Sequence, residues 1–477
     1  MTGFKKGAKN VSNYCGNLSF SPRYFYAPLN ELEVIEIVEH HAAEKIRVVG
    51  ARHSWSRVVE CPDVIVDMKH FDKIEIDTRS KGKIWATVGA GCRIERLLHY
   101  LQIQANATLP TLPVITHQTL AGAVATGTHG VGRSSLSHYV NKVRMVQWNP
   151  ESGKAEIRVW EEGVGLQAAR CHLGCLGIVL SLQIACVARY LIEESVARYI
   201  HIEDILAIEQ DYPFTPFFLV PWRWDYVAQR RRHPSSGKGR SWHATLYQMY
   251  RLMVIEIGFN SIVKFMVRLK CSPRLIRGFY RHLFFLFVVR GGVVVDNVEK
   301  ISVMNHQPFC HMEIEVFVPA TMVCQATEFM REILPVFGGL QKEVSHEVDA
   351  MLNRVGMYEE IFSLAGTYTH HYPILFRRVL PDDTLISMSS GTTEAWYGIS
   401  FMTFDTQFDS FYAFAGFLAR SMAALFGARP HWGKLCPLKE KEILSLYPGL
   451  EVFKKVCRTA DPAGIFRNKF VQEKLGL

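Results

Sequence analysis

Val49-Gly50-Ala51-Arg52-His53-Ser54-Trp55-Ser56 closes the apolar run Ile46-Arg47-Val48-Val49 with a turn of small residues that carries a histidine. A short apolar run of this kind reads as a buried strand. The small residues after it let backbone N–H groups approach a phosphate or a flat ring closely. A histidine held there can act as a nucleophile as well as a hydrogen-bonding group. Taken alone it is more often a satisfied loop or core residue, so its meaning depends on the rest of the chain.

Outward from this turn, helix and strand signals interleave. Asn30-Glu31-Leu32-Glu33 opens a helix with an Asn cap, early acids and an apolar stripe at Val34, Ile35 and Val38. Val64-Ile65-Val66 and Ile84-Trp85-Ala86-Thr87-Val88 read as strands. Ile94, Leu97, Leu98 and Leu101 recur at helical spacing just after Gly89-Ala90-Gly91. The alternation continues to about Ile192 and indicates an α+β or α/β domain. Two glycine-rich stretches punctuate it, Gly122-Ala123-Val124-Ala125-Thr126-Gly127-Thr128-His129-Gly130-Val131-Gly132 and Leu173-Gly174-Cys175-Leu176-Gly177. Gly89-x-Gly91 and Gly130-x-Gly132 lack the third glycine and the downstream acid of a nicotinamide fingerprint, which argues against that cofactor.

A chain of 477 residues implies two or three domains. With 48% hydrophobic and 21% charged residues it is globular rather than disordered. The net charge of +9 favours an anionic partner: a phosphate, a nucleotide cofactor or a membrane surface. No basic block interleaved with aromatics lies on a recognition element, which argues against nucleic acid. The eleven scattered cysteines form no CxxC pair, and Cys171 and Cys175 lack a matching His or Cys pair. Neither a disulfide framework nor a zinc site is expected, and the compartment is read as reducing and cytoplasmic. The polar stretch from Met1 to Asn10 has no apolar core, so it is not read as a secretory signal.

From Phe214 to about Lys300 the chain turns aromatic and basic. Arg230-Arg231-Arg232 and Ser235-Ser236-Gly237-Lys238-Gly239 read as an exposed loop. The apolar stretches 252–269 and 279–289 fall short of the roughly 20 uninterrupted apolar residues of a spanning helix. Core packing is the favoured reading of both. Peripheral membrane contact through 249–290 stays open because Lys270, Arg274, Arg277, Arg281 and Arg290 flank them. Beyond Val303, residues 312–318, 385–388 and 397–404 read as strands. Glu313 and Glu315 share one strand face, with solvent the favoured direction for it. His370 and His371, being adjacent, face opposite ways and make no metal site.

In their order along the chain, several motifs resemble the sugar-1,4-lactone oxidases, the gulonolactone and arabinonolactone oxidases, among the vanillyl-alcohol-oxidase-type flavoproteins. Bacterial alditol oxidases are close kin. Asn13-Tyr14-Cys15-Gly16-Asn17 resembles the family's Asn-Trp-Ala-Gly entry, and Gly50-Ala51-Arg52-His53-Ser54 its Gly-x-Gly-His-Ser turn. Residues 122–132 are similar to its glycine-rich loop over the cofactor, and 173–179 to its Leu-Gly-x-Leu-Gly-Val-Val segment. Pro430-His431-Trp432-Gly433-Lys434 and Asp461-Pro462-Ala463-Gly464-Ile465-Phe466-Arg467-Asn468 match its two C-terminal motifs. The basic, aromatic stretch 249–290 resembles the membrane-associated insertion of the animal enzymes.

The resemblance implies an α+β, two-domain, PCMH-type FAD-binding fold. Its FAD-binding domain spans 13–192, its substrate or cap domain 193–428, and a C-terminal segment, 429–477, returns to complete the FAD domain and active site. It implies FAD linked covalently through His53 and surrounded by Gly50, Ala51, Arg52, Ser54, Gly122, Thr126, Gly127, Thr128, His129, Gly132, Gly174, Gly177, Ile178 and Lys434. Arg377 and Lys434 are the expected catalytic cations, one a planar fork and the other a compact charge. The implied reaction is oxidation of a CH–OH group of a sugar-1,4-lactone or polyol, with hydride passing to flavin N5 and electrons to O2 or another acceptor. One departure stands out. Tyr372-Pro373-Ile374-Leu375-Phe376-Arg377 aligns with the family's Tyr-Pro-x-Glu-x-Arg strand, and Leu375 takes the place of the glutamate. That leaves open an alditol or polyol oxidase or dehydrogenase of the same fold, or a flavin-binding protein with weak catalysis.

Overall fold

The computed structural model describes residues 10–78, 82–304, 310–404 and 408–477. The first nine residues, and with them the N-terminal leader reading, lie outside this set.

The strand Ile46–Val49 is the end member of a three-stranded parallel sheet, paired with Val64–Asp67, which in turn pairs with Tyr24–Tyr26. Parallel pairing needs a crossover, and the helix Glu31–His40 supplies it. Asn30 caps that helix by accepting a hydrogen bond from Glu33 N at 3.0 Å, and Val34, Ile37 and Val38 form its buried stripe. The next sheet is antiparallel, in the order Lys154–Trp160, Val140–Asn149, Ile178–Ala188, Ile84–Gly89, Ile74–Asp77. The helix Ile94–Ala105 packs Ile94, Leu97, Leu98 and Leu101 inward and ends on Asn106 in the left-handed region, at φ 44°.

A third, eight-stranded antiparallel sheet carries the other half of the molecule. Its order is Val293–Asn297, Leu191–Tyr199, Tyr226–Arg232, Phe217–Leu219, Ile374–Val379, Trp396–Thr403, Met312–Pro319, Arg429–Pro430. After Pro430 the chain crosses to the N-terminal strands. Trp55 N donates to Gly433 O at 2.9 Å and Ile46 N to Ile465 O at 2.8 Å. Asn468 Nδ2 reaches the carbonyls of Arg57, Val58 and Glu60. The buried Arg47 guanidinium donates to carbonyls from three distant segments, those of Val58, Leu173 and Phe466. Such a fork satisfies carbonyls that would otherwise be orphaned where the segments meet.

Expectations change at several points. Arg230, Arg231 and Arg232, read as part of an exposed loop, end the strand Tyr226–Arg232, where Arg231 is buried and donates to Glu194. Residues 385–388 form no strand. Asp382 accepts hydrogen bonds from Thr384 N and from the hydroxyls of Thr384, Ser387 and Ser135, so side-chain acceptors take over the role of a ladder partner. The apolar stretch 279–289 is divided: Pro273–His282 is helical, followed by a short 3-10 turn over Phe284–Phe287. Upstream, the helices Ala244–Tyr250 and Asn260–Arg268 are joined by a π-helical segment, Arg251–Phe259. Core packing holds for one side of this insertion only. Phe259, Val263, Ile276, Phe279, Tyr280 and Phe284 pack into a hydrophobic cluster with Val220, Trp222 and Phe404. Leu246, Met253, Phe265, Leu275 and Leu286 stay exposed, Leu286 at 78%.

Candidate active site

A cavity of about 270 Å³ opens where the three sheets meet. It is lined by the turn after Ile46–Val49, the 113–129 segment, the 172–179 turn, the face of the eight-stranded sheet that carries Arg377, and the crossing segment at His431, Gly433 and Lys434. Thirteen of the sequence-derived site residues border it: Gly50, Ala51, Arg52, His53, Ser54, Gly122, Thr126, Thr128, His129, Gly174, Gly177, Arg377 and Lys434.

Three do not. Gly127 and Gly132 have positive φ and face away, and a Cβ at Gly132 would lie 2.0 Å from the carbonyl oxygen of Pro213. Gly132 N donates to Arg378 O at 2.7 Å, so this glycine serves the junction with the eight-stranded sheet rather than a ligand. Ile178 starts a strand and is fully buried in the core.

At the turn, Arg52 takes a left-handed conformation, φ 58°. The backbone N–H groups of Ala51, Arg52, His53 and Ser54 find no acceptor among the described residues. A row of unsatisfied donors along a cavity wall suits a pyrophosphate or the polar edge of a flavin, so the lining fits FAD. The ring of His53 stacks on Tyr14 with centroids 5.0 Å apart. Burial, reinforced by His117, Arg93 and His311, pushes its pKa down to about 4. The imidazole is therefore neutral at pH 7, with a lone pair available.

The charged end of the cavity is built by strand register. Leu375 and Arg377 are two apart on Ile374–Val379 and share a face. Arg377 pairs with Gly398, and Ser400 lies between Leu375 and Glu315. A Cβ at Gly398 would sit 2.7 Å from Glu315 Oε1. With no side chain there, Arg377 Nη2 donates to Glu315 Oε1 across the intervening strand at 2.6 Å. Lys434 Nζ reaches Glu315 Oε2 at 2.8 Å and also pairs with Glu313 Oε1. Glu313 and Glu315 are 3% and 0% exposed, so the face on which they were expected to meet solvent is covered. That face looks into the cavity and is met there by Lys434. The crossing segment that carries Lys434 is held along the strand's edge, His431 N and Leu435 N donating to its backbone carbonyls.

Burial alone would raise the Glu315 carboxyl. Arg377, Lys434 and His129 overcome it and hold the group well below the usual carboxylate range. The cluster therefore contains two cations and two carboxylates. His129 donates from Nδ1 to the carbonyl of Gly130 at 2.9 Å, and its Nε2 lies 3.4 Å from Glu315. His129 and His431 are both held below the ordinary histidine range, by burial first, with Arg377 and Lys434 adding to it. His129, Glu315 and His431 bring ligand atoms within 4.8 Å of one another. Both Glu315 oxygens are already taken by cations, which opposes a dication at that point. Sequence reasoning missed Tyr372, Met402 and Phe404 as lining residues, and Gly398 as the gap through which Arg377 reaches Glu315. A glycine inside a strand pattern was the one signal present for Gly398.

Comparison with known proteins agrees with this geometry. The family described as D-arabinono-1,4-lactone oxidase matches residues 270–474, and the FAD binding domain family matches residues 22–152. A long-chain alcohol oxidase from an uncultured marine euryarchaeote is 41% identical over 96% of this chain and 95% of its own. L-gulonolactone oxidase from Mus musculus is 23% identical over 98% and 99%. A solved cholesterol oxidase, described as solvent-stable, superposes with a TM-score of 0.74 at 14% identity, covering 99% of this chain and 98% of that one, and so shares the fold. This chain belongs to the sugar-lactone oxidase family of the vanillyl-alcohol-oxidase-type FAD flavoproteins and is an FAD-dependent oxidoreductase acting on CH–OH donors.

Proposed function

We propose that the chain oxidises the carbinol carbon of an alcohol that bears an apolar chain, on FAD attached through His53. Leu375 is the observation that carries the substrate class. It is 7% exposed and lines the cavity two residues from Arg377, with Met402 and Phe404 also in the wall. A sugar lactone would bury several hydroxyls against that wall without partners, at about 1–3 kcal/mol for each one left unpaired. An alkyl chain gains by the same burial. The relative named a long-chain alcohol oxidase supports this class, and the lactone oxidases among the relatives support the alternative. 1-Dodecanol is expected to yield its aldehyde with consumption of O2, and L-gulono-1,4-lactone to yield no product. Lactone turnover without alkanol turnover reverses the assignment.

FAD supplies the hydride acceptor. Arg377 Nε is buried without an acceptor among the described residues, and Lys434 retains a third N–H beyond its two carboxylate partners. These donors hold the substrate oxygen as it gains negative charge, while Glu313 and Glu315 fix their positions. The hydroxyl proton goes to His129. Its Nδ1–H is committed to the Gly130 carbonyl, and its Nε2 faces Glu315, whose carboxylate stabilises the imidazolium that forms.

His53, neutral and carrying a lone pair, is the attachment point for the flavin. In wild type the flavin is expected to stay with acid-precipitated protein, and in His53→Ala to be released. Equal release from both proteins contradicts attachment at this residue.

The insertion is read as a peripheral membrane contact. Among the described residues no helix is long and apolar enough to cross a membrane. Between positions 242 and 293 there are eight Lys and Arg and one acid, Glu256, which is buried. Exposed apolar side chains beside cations suit the headgroup boundary of an anionic leaflet, where each cation contributes roughly 1 kcal/mol. Flotation with anionic vesicles is expected at low salt and to weaken at high salt. Protein that stays at the bottom of the gradient in both conditions contradicts it.

A further inference from the structure

A second cavity, of about 230 Å³, abuts the first beneath the insertion. The two share Val114, Met304, Tyr372, Leu375, Arg377 and Met402 as lining residues. Leu375 therefore stands both beside the charge cluster and at the entrance to a second chamber. The far walls are apolar: Ile192, Val227, Phe259, Phe284, Phe287 and Val298. Several polar side chains around it are committed elsewhere. Arg231 donates to Glu194, which also accepts from Tyr247 OH. Arg251 donates to the carbonyls of Lys300 and Ile301, Tyr250 OH to Phe287 O, and Tyr372 OH to Asn260 Oδ1. Arg133 lies over the ring of Phe214, 5.2 Å from its centroid. The wider turns of the π-helical segment put Arg251, Ile255, Glu256 and Phe259 on this wall, in keeping with the frequent use of such segments at functional sites.

We propose that this second cavity is the binding site for the alkyl chain, which runs from the reaction centre past Leu375 and Met402 and ends under Phe284–Phe287, so that the insertion sets the chain length accepted. This rests on the alcohol-oxidation reading above and adds to it a subsite with a defined end. Each methylene that enters an apolar chamber of this kind tightens binding about fourfold until the chamber is full.

The test is the KM of a series of linear 1-alkanols with the wild-type holoenzyme and two variants, with flavin content and thermal midpoint recorded for each. Wild type is expected to show KM falling about fourfold per added methylene and then levelling. Val288→Trp, at a half-buried wall position outside the first cavity, is expected to move the levelling point to shorter chains. Phe287→Ala is expected to move it to longer ones. An unchanged length profile in either variant, with flavin content and thermal midpoint intact, overturns the subsite while leaving alcohol oxidation standing. If no alkanol is oxidised by wild type, the reaction assignment falls and the subsite with it.

Discussion

Arg377→Met and Lys434→Met are each expected to slow anaerobic reduction of the bound flavin by about 10²–10³-fold, the usual cost of deleting one preorganised donor aimed at developing negative charge. Substrate affinity is expected to change much less, because the charge is fully present only in the transition state. The site is built for this asymmetry. Arg377 is 6% exposed and fixed by Glu315 at 2.6 Å, and Lys434 is fixed by both glutamates, so neither donor has to reorganise during the reaction. Rapid-mixing reduction traces at a series of alkanol concentrations separate the two effects. Reduction at the wild-type rate in either variant removes that residue from the chemistry.

Glu315→Gln is expected to have the largest effect on stability. It leaves the buried Arg377 without its carboxylate partner and Lys434 with Glu313 alone. Breaking a buried pair in this way costs about 3–5 kcal/mol, read as a fall in the urea midpoint of the holoprotein. The pH dependence has a definite sign. A carboxyl held below its ordinary value stabilises the fold fully above its unfolded pKa, near 4.3. That stabilisation is lost as pH falls through the lower folded value. The gap between wild type and Glu315→Gln is therefore constant at neutral pH and narrows below about pH 4. The same substitution tests His129. Glu315 raises the His129 pKa while burial and Arg377 lower it. Removing the carboxylate is expected to shift the acid limb of the reduction rate to lower pH, from a position already below that of an ordinary histidine. A limb that stays in place excludes His129 as the proton acceptor.

Much of this site was legible in the chain itself, but unevenly. The 49–56 turn and the helix capped by Asn30 are local signals, each set by residues within a few positions of one another, and both recur in the structure. Leu375 could be flagged from a six-residue alignment because its register on the strand was unambiguous. Glu313 and Glu315 were harder. Two-residue periodicity places them on one face but cannot tell that this face looks into the cavity, and the Lys434 that meets it there lies more than a hundred residues downstream. The 122–132 stretch was misread in part for a related reason. Glycine is used there both to line the cavity, at Gly122, and to let two chains meet, at Gly132 against Pro213, and sequence does not distinguish close approach to a ligand from close approach to protein. The strand expected at 385–388 had the right apolar composition. The serines around it and Asp382 supplied competing hydrogen bonds that periodicity does not register.

On the reading proposed above, the wall containing Leu375 selects an apolar alcohol for a flavin served by Arg377 and Lys434. The most direct measurement is a single anaerobic mixing of the purified holoprotein with 1-dodecanol or with L-gulono-1,4-lactone, following the oxidised flavin band in both. Rapid bleaching by the alkanol, and none by the lactone, is the predicted result. Bleaching by the lactone, with the flavin left oxidised by the alkanol, contradicts it.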